Sequence, residues 1–308
     1  MPRTVTAGLD GSPESRAAAD WAAREALRRG LPLRLLHVHD RQPYSSVYAP
    51  LAGAVAGPDP DTQRRWAESV PRDAAAQLTG RHPDLEISAG LVSGQPAAAL
   101  AAAAGESELL VLGSRGLGAL AGFLVGSVAS ATVAQAVRPV VLVRAGQTGE
   151  DEHRPDLDGL VSQYTPFRDV VLGIDLDRPH EDLLAFAFEA AVLRGTGLRV
   201  VHGWNLPASY GFNPAAIALD LEHELTDAQA KALTQALAPW RAKYPAVEVA
   251  ELSLAGGAAR HLVEAAADAS LVVVGRRVRH AAAGAHIGPV THAVLHHAKA
   301  PVAVVPHD

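Results

Sequence analysis

Cysteine is absent from all 308 residues, and that absence removes several chemistries at once. Without a thiol there is no disulfide, no thiolate nucleophile and no cysteine-held zinc or iron–sulfur cluster. A reducing cytoplasm is the natural setting for such a chain. Basic charge is also in short supply: 27 Lys and Arg stand against 33 Asp and Glu, a net charge of -6. A nucleic acid or an anionic membrane would reward a basic face, so neither is expected as a main partner. No apolar run approaches the roughly 20 residues that span a bilayer. The opening Met1-Pro2-Arg3-Thr4-Val5-Thr6 runs straight into a strand-like segment rather than a leader, so a soluble cytoplasmic protein is expected.

Several catalytic signatures are missing too. There is no Walker lysine motif, no G-x-S-x-G elbow, no H-E-x-x-H, and no pair of carboxylates beside the main glycine loop. Hydrophobic residues make up 48% of the chain and charged ones 19%, which suits well-packed cores and excludes a disordered protein. At this length two domains of ordinary size are favoured over one.

The two halves repeat each other. Gly8-Leu9-Asp10 recurs 165 residues later as Gly173-Ile174-Asp175. Gly94, Gly113, Gly126 and Pro139 recur 162 residues later as Gly256, Gly275, Gly288 and Pro301. An offset held over four landmarks marks a tandem duplication of one domain. The expected boundaries are residues 1–146 for the first domain, 147–166 for a linker and 167–308 for the second.

Each half alternates strand and helix signals. Thr4–Leu9 reads as a strand; Ser12-Pro13-Glu14 then supplies an N-cap, a first-turn proline and an early acid for a helix ending at Gly30. Strands follow at Leu33–Val38, Leu85–Val92, Leu109–Leu112 and Val140–Val143, with helices between them. In the second half they fall near Val170–Ile174, Leu198–His202, Val247–Leu252, Leu271–Val274 and Val302–Val305. The expected fold is α/β: two tandem Rossmann-like domains, each a five-stranded parallel sheet with helices on both faces. Ligands of such sheets bind beyond the strand carboxyl ends, where the strand order reverses.

The strongest functional signal is Gly113-Ser114-Arg115-Gly116, nine residues, then Gly126-Ser127. Glycines at a strand exit and a helix start present backbone N–H groups and let an anion approach the main chain. Ser127 can cap the helix and donate to a phosphate. The arrangement suits a nucleotide. Taken singly, the glycines also fit generic turns and Asp10 fits a turn acid.

With these residues assembled, the chain resembles the tandem form of the universal stress protein family. The resemblance is carried by Val5-Thr6-Ala7-Gly8-Leu9-Asp10-Gly11-Ser12, Val92-Ser93-Gly94-Gln95-Pro96, the G-x-x-G-x9-G-S/T loop and Arg138-Pro139-Val140-Val141-Leu142-Val143. It implies an adenine-nucleotide hydrolase-like fold and ATP bound in the first domain. In that picture Asp10 meets the ribose side, Gly8 and Leu9 line the pocket, and the Val38 main chain reads the adenine edge. Leu112 and Gly113 border the ribose, while Gly116, Gly126, Ser127 and Val128 cradle the phosphates. Any Mg²⁺ would be carried by the triphosphate, with no metal ligands from the protein. The resemblance also implies that Val140–Val143 and Val302–Val305 pair the halves as an intrachain pseudo-dimer, with a homodimer of tandem chains as a further option.

The second half departs from the pattern. Val278 replaces Gly116, and Pro289, which has neither N–H nor hydroxyl, replaces Ser127. Its site is therefore expected to bind ATP weakly, differently or not at all. Arg276, Arg277 and Arg279 read as a solvated loop, or else as an anion contact in the altered site. His280, His286, His292, His296 and His297 read as exposed histidines before a metal group. Trp21, Trp66, Trp204 and Trp240 read as core or interface residues. A stress or regulatory module that binds ATP without required turnover is the expected function. Slow ATP hydrolysis, nucleotide transfer and a nucleotide-free interaction protein are the alternatives.

Overall fold

A computed structural model describes residues 3–40, 59–116, 123–205, 219–278 and 287–308. The first half runs β1 (Thr4–Leu9), α1 (Pro13–Arg29), β2 (Leu33–His39), α2 (Pro60–Arg81), β3 (Ile87–Ser93) and α3 (Pro96–Glu106). It continues through β4 (Ser107–Gly116), a two-residue β5 (Phe123–Leu124), α4 (Ser127–Gln135) and β6 (Val140–Arg144). The second half repeats the series as β7 (Val170–Gly173), α5 (Glu181–Arg194), β8 (Leu198–Trp204), α6 (Leu219–Lys243) and β9 (Val249–Ala255). It closes with α7 (Ala258–Ala265), β10 (Leu271–Arg277), α8 (Pro289–His297) and β11 (Val302–His307).

Local chemistry sets the helix ends. The Ser12 hydroxyl accepts from the Ser15 N–H at the start of α1, and Pro13 opens the first turn. Gly30, at φ 61° and ψ 35°, turns the chain out of α1, and Gly195 does the same for α5 at φ 58°. A side chain there would strain the left-handed turn.

The strands lie in the order β3-β2-β1-β4-β6-β11-β10-β7-β8-β9, with β5 paired to β4. Within each half the five main strands are parallel; β6 and β11 meet antiparallel, Leu142 facing Val302 and Val140 facing Val304. Two exposed edges are thereby closed against each other. Successive strand residues point to opposite faces. Leu109 and Val111 of β4 enter a core with Leu33, Leu35, Trp21 and Phe188, while Leu110 and Leu112 enter another with Leu36, Leu100, Val133 and Leu295. Among the described residues no helix is long and apolar enough to cross a membrane.

Two features differ from the sequence expectation. Strand β4 does not stop at Leu112 but continues through Gly116, because β6 pairs with it as far as Ser114 and β5 pairs with Arg115 and Gly116. The segment joining the halves is no plain solvated linker: Glu152 and His153 are buried in it. Glu152 accepts from Arg24 at 2.7 Å and from Arg28 at 3.1 Å. Beside it, fully buried Glu25 accepts from Arg29 at 2.8 Å, from Arg28 at 3.1 Å and from Arg194 of the other half at 2.8 Å. Arg29 and Arg194 are duplicated positions, but Glu25 has Ala190 as its counterpart. One carboxylate thus ties α1 to α5 across the junction.

Candidate functional site

The order of the strands reverses at β1: β2 and β3 lie to one side, β4 and β6 to the other. Helix α1, which follows β1, packs on one face; α4, which follows β4, packs on the opposite face. The chain diverges above these two strands and leaves a crevice at their carboxyl ends. Asp10, just past β1, and the end of β4 therefore lie at one edge of the sheet.

Asp10 is exposed at the mouth. Its Oδ1 accepts from the Ser12 N–H at 3.0 Å, so it shapes the turn into α1 as well as presenting charge. Leu9 is buried, and its carbonyl accepts from His37 Nδ1 at 2.7 Å. This bond fixes the end of β1 against β2. Val38 comes one residue later, half-buried and paired with Val92 of β3. The last pair between β1 and β2 is Leu9 with His37, so the backbone at Val38 runs past the end of β1 over the crevice.

The glycines answer to packing as much as to a ligand. A Cβ on Gly8 would stand 2.5 Å from Leu112 and 2.9 Å from Leu100. A Cβ on Gly113 would stand 2.6 Å from the carbonyl carbon of Glu14, so the first turn of α1 crosses β4 directly at that glycine. Gly113 therefore lies inside a strand rather than at its exit. Gly113→Ala is expected to push α1 off β4 and cost about 1–3 kcal/mol, read as a lowered Tm by calorimetry.

Gly126 differs, since a Cβ there would meet nothing within 4 Å. It is the N-cap of α4 at φ -60° and ψ 153°, without a side-chain hydrogen bond to the helix. Ser127 is the first helical residue, not the cap, so its hydroxyl is not spent on the α4 backbone as a capping serine's would be. Ser127 and Val128 are exposed beside the open glycine. The first-turn N–H groups of α4 and the positive end of its dipole therefore face an open approach. Gly116 pairs with Phe123 at the base of the loop, and residues 117–122 lie outside the described residues.

The corresponding helix start in the second half is just as open at Gly288, where a Cβ would meet nothing within 4 Å, and differs in its residues. Asp175 repeats the turn of Asp10, accepting from the Asp177 N–H at 3.1 Å. Above Gly275, however, the imidazole of His307 sits so close that a Cβ would stand 2.6 Å from its Nε2. The His307 and His180 rings lie 4.9 Å apart. Burial first, with the nearby His180, Arg277 and Arg276, holds the His307 imidazole below its usual pKa against the raising effect of its hydrogen bond to the Asp308 backbone. The Val278 N–H donates to the His307 carbonyl at 2.6 Å. Pro289 opens α8 where Ser127 opens α4.

Arg276 corrects both of its sequence readings. It is buried, and it donates to the carbonyl of Ala136, the C-cap of α4 in the other half. A cation suits that helix end. Arg277 is exposed, and Arg279 lies outside the described residues with His280 and His286. The rings of His292 and His296 lie 4.3 Å apart, and no three metal-ligating side chains gather among the described residues.

Trp66 departs from the core half of its reading. Trp21 and Trp204 are buried as expected, but Trp66 is 54% exposed. It stands one turn before Val70, Ala74 and Leu78, which pack on the core, and does not itself join that core. Only the position of that helix relative to the strand ends, invisible in sequence, decides its exposure.

Comparison with known proteins agrees with this architecture. The model of the universal stress protein family matches residues 1–144 and 166–306. The universal stress protein Rv2005c of Mycobacterium tuberculosis is 35% identical, over 97% of this chain and 96% of its own length. A second relative from that organism, universal stress protein Rv1996, is 32% identical over 99% of this chain and 96% of its own. Among solved structures, a universal stress protein from Archaeoglobus fulgidus superposes with a TM-score of 0.67 at 15% identity, covering 99% of this chain and 98% of that one.

Proposed function

The chain belongs to the universal stress protein family, and we propose that it works there as a nucleotide-responsive module that holds ATP in its first domain. The observation that carries this reading is the uncapped start of α4 at open Gly126, set beside the Asp10 turn across the β1–β4 reversal. The first-turn N–H groups of α4 and the Ser127 hydroxyl would receive the phosphates, with the helix dipole favouring their charge. Gly116 and Val128 would flank them. Asp10 would accept from the ribose hydroxyls. The overhanging Val38 backbone would offer its N–H and C=O to the adenine edge, and Gly8, Leu9, Leu112 and Gly113 would form the floor. A divalent ion would travel with the phosphates.

In this reading occupancy, not turnover, is the signal. The sequence places no pair of acids beside the loop to activate water, so steady-state hydrolysis is expected below about one turnover per minute. The test is calorimetric titration of the full chain with ATP. Asp10→Asn keeps the turn-forming oxygen but loses the charge, and it is expected to weaken binding roughly 10-fold. Absence of ATP binding by the unaltered chain, or equal affinity in the variant, counts against the site.

A further inference from the structure

We infer that Trp66 is the base-stacking wall of the first-domain crevice, the residue by which this chain would favour a nucleobase-bearing ligand over a bare polyphosphate. The inference rests on the nucleotide reading of that crevice and names the residue that would select the base. Trp66 leaves over half of its surface to solvent, whereas Trp21 and Trp204 are buried and Trp240 stacks with Phe188 and Tyr244. An exposed indole on a regular helix gains nothing for the core, and it gains most where a flat apolar ligand can cover it.

Its surroundings place it at the crevice. A Cβ on Gly11, the residue after Asp10, would lie 3.5 Å from Trp66 Cζ2 and 3.7 Å from Val70 Cγ2. Gly11 has φ 81° and brings the Asp10 turn against the indole without a side chain between them. On its other side Trp66 meets the His37 ring edge-on, with centroids 5.5 Å apart. His37 is the residue that fixes Leu9, and it immediately precedes Val38. The indole is therefore held between the turn proposed for the ribose and the strand end proposed for the base.

The duplication supplies an internal control. His202 repeats His37, with Nδ1 3.2 Å from the Ile174 carbonyl. Counting back from the shared Pro83 and Pro245, the position of Trp66 is Ala228 in the second half. There His202 Nε2 is met instead by the side chain of the neighbouring Gln229, at 3.2 Å. The copy with Gly116 and Ser127 keeps the indole; the copy with Val278 and Pro289 has alanine. An aromatic wall retained only for packing has no reason to follow the state of the phosphate loop.

Titration of the full-length protein with ATP and, separately, with inorganic tripolyphosphate tests the assignment. Trp66→Ala is expected to weaken ATP binding roughly 10- to 100-fold while leaving tripolyphosphate affinity unchanged, and Trp66→Phe is expected to restore most of the loss. ATP is also expected to change the tryptophan emission of the unaltered chain, a change absent from Trp66→Phe. Circular dichroism and Tm should stay as in the unaltered chain, because the residue is exposed. Equal ATP affinity in Trp66→Ala, or an equal loss for ATP and tripolyphosphate, overturns the stacking role while the nucleotide site stands. No ATP binding by the unaltered protein overturns both.

Discussion

A chain carrying Glu25→Ala is expected to lose about 3–5 kcal/mol of folding stability at pH 7. Glu25 is wholly buried, and its oxygens are shared among Arg28, Arg29 and Arg194. Removing the carboxylate takes away the acid that Arg29 and Arg194 share, while Arg24 and Arg28 keep Glu152. The cost comes from stranding buried cations more than from losing attraction. Burial by itself would raise the Glu25 pKa; Arg194, Arg29 and Arg28 together outweigh it and bring it from 4.5 to about 2. Because the folded value lies below the unfolded one, the contribution is complete above about pH 4.5 and is lost as pH falls toward 2. Urea denaturation of the unaltered chain and Glu25→Gln across that range should show two curves that converge in acid. A difference below about 1 kcal/mol at pH 7 would mean that the junction is held by apolar packing instead.

The second large effect concerns the first-domain loop. Writing the second half into the first, as Gly116→Val with Ser127→Pro, is expected to weaken ATP binding at least about 100-fold, since two donors to a charged group are compromised together. The substitution suits the fold. Gly288 before Pro289 has φ -62° and ψ 157°, almost the backbone of Gly126, so a proline at the first position of α4 is already demonstrated in the copy. Tm should therefore change little while affinity collapses; scanning calorimetry reads the first and titration calorimetry the second. The converse change, Val278→Gly with Pro289→Ser, should create no second site while the His307 carbonyl holds the N–H of residue 278.

Much of this was legible in the residues, for identifiable reasons. Apolar runs such as Leu109–Leu112 and the caps at Ser12 and Gly30 are local signals, and they located strands and helices to within a few residues. The duplication then supplied the topology twice. Long-range contacts explain what stayed hidden. The clash of a Cβ at Gly113 with Glu14 depends on α1 crossing β4. Arg276 reads as a loop cation until the antiparallel pairing of β6 with β11 brings it to the end of α4. Glu152 sits in a polar linker by composition, yet Arg24 and Arg28 draw it into the junction. His307 gave no signal at all, because its place beside Gly275 depends on the parallel pairing of β10 with β11.

The central claim is one competent nucleotide site in a duplicated chain, and stoichiometry tests it most directly. Equilibrium dialysis of the full-length protein against saturating ATP should give one nucleotide per chain. That value should be unchanged in Asp175→Ala and fall to zero in the Gly116→Val, Ser127→Pro chain. Two nucleotides per chain, or a loss on Asp175→Ala alone, would contradict the account.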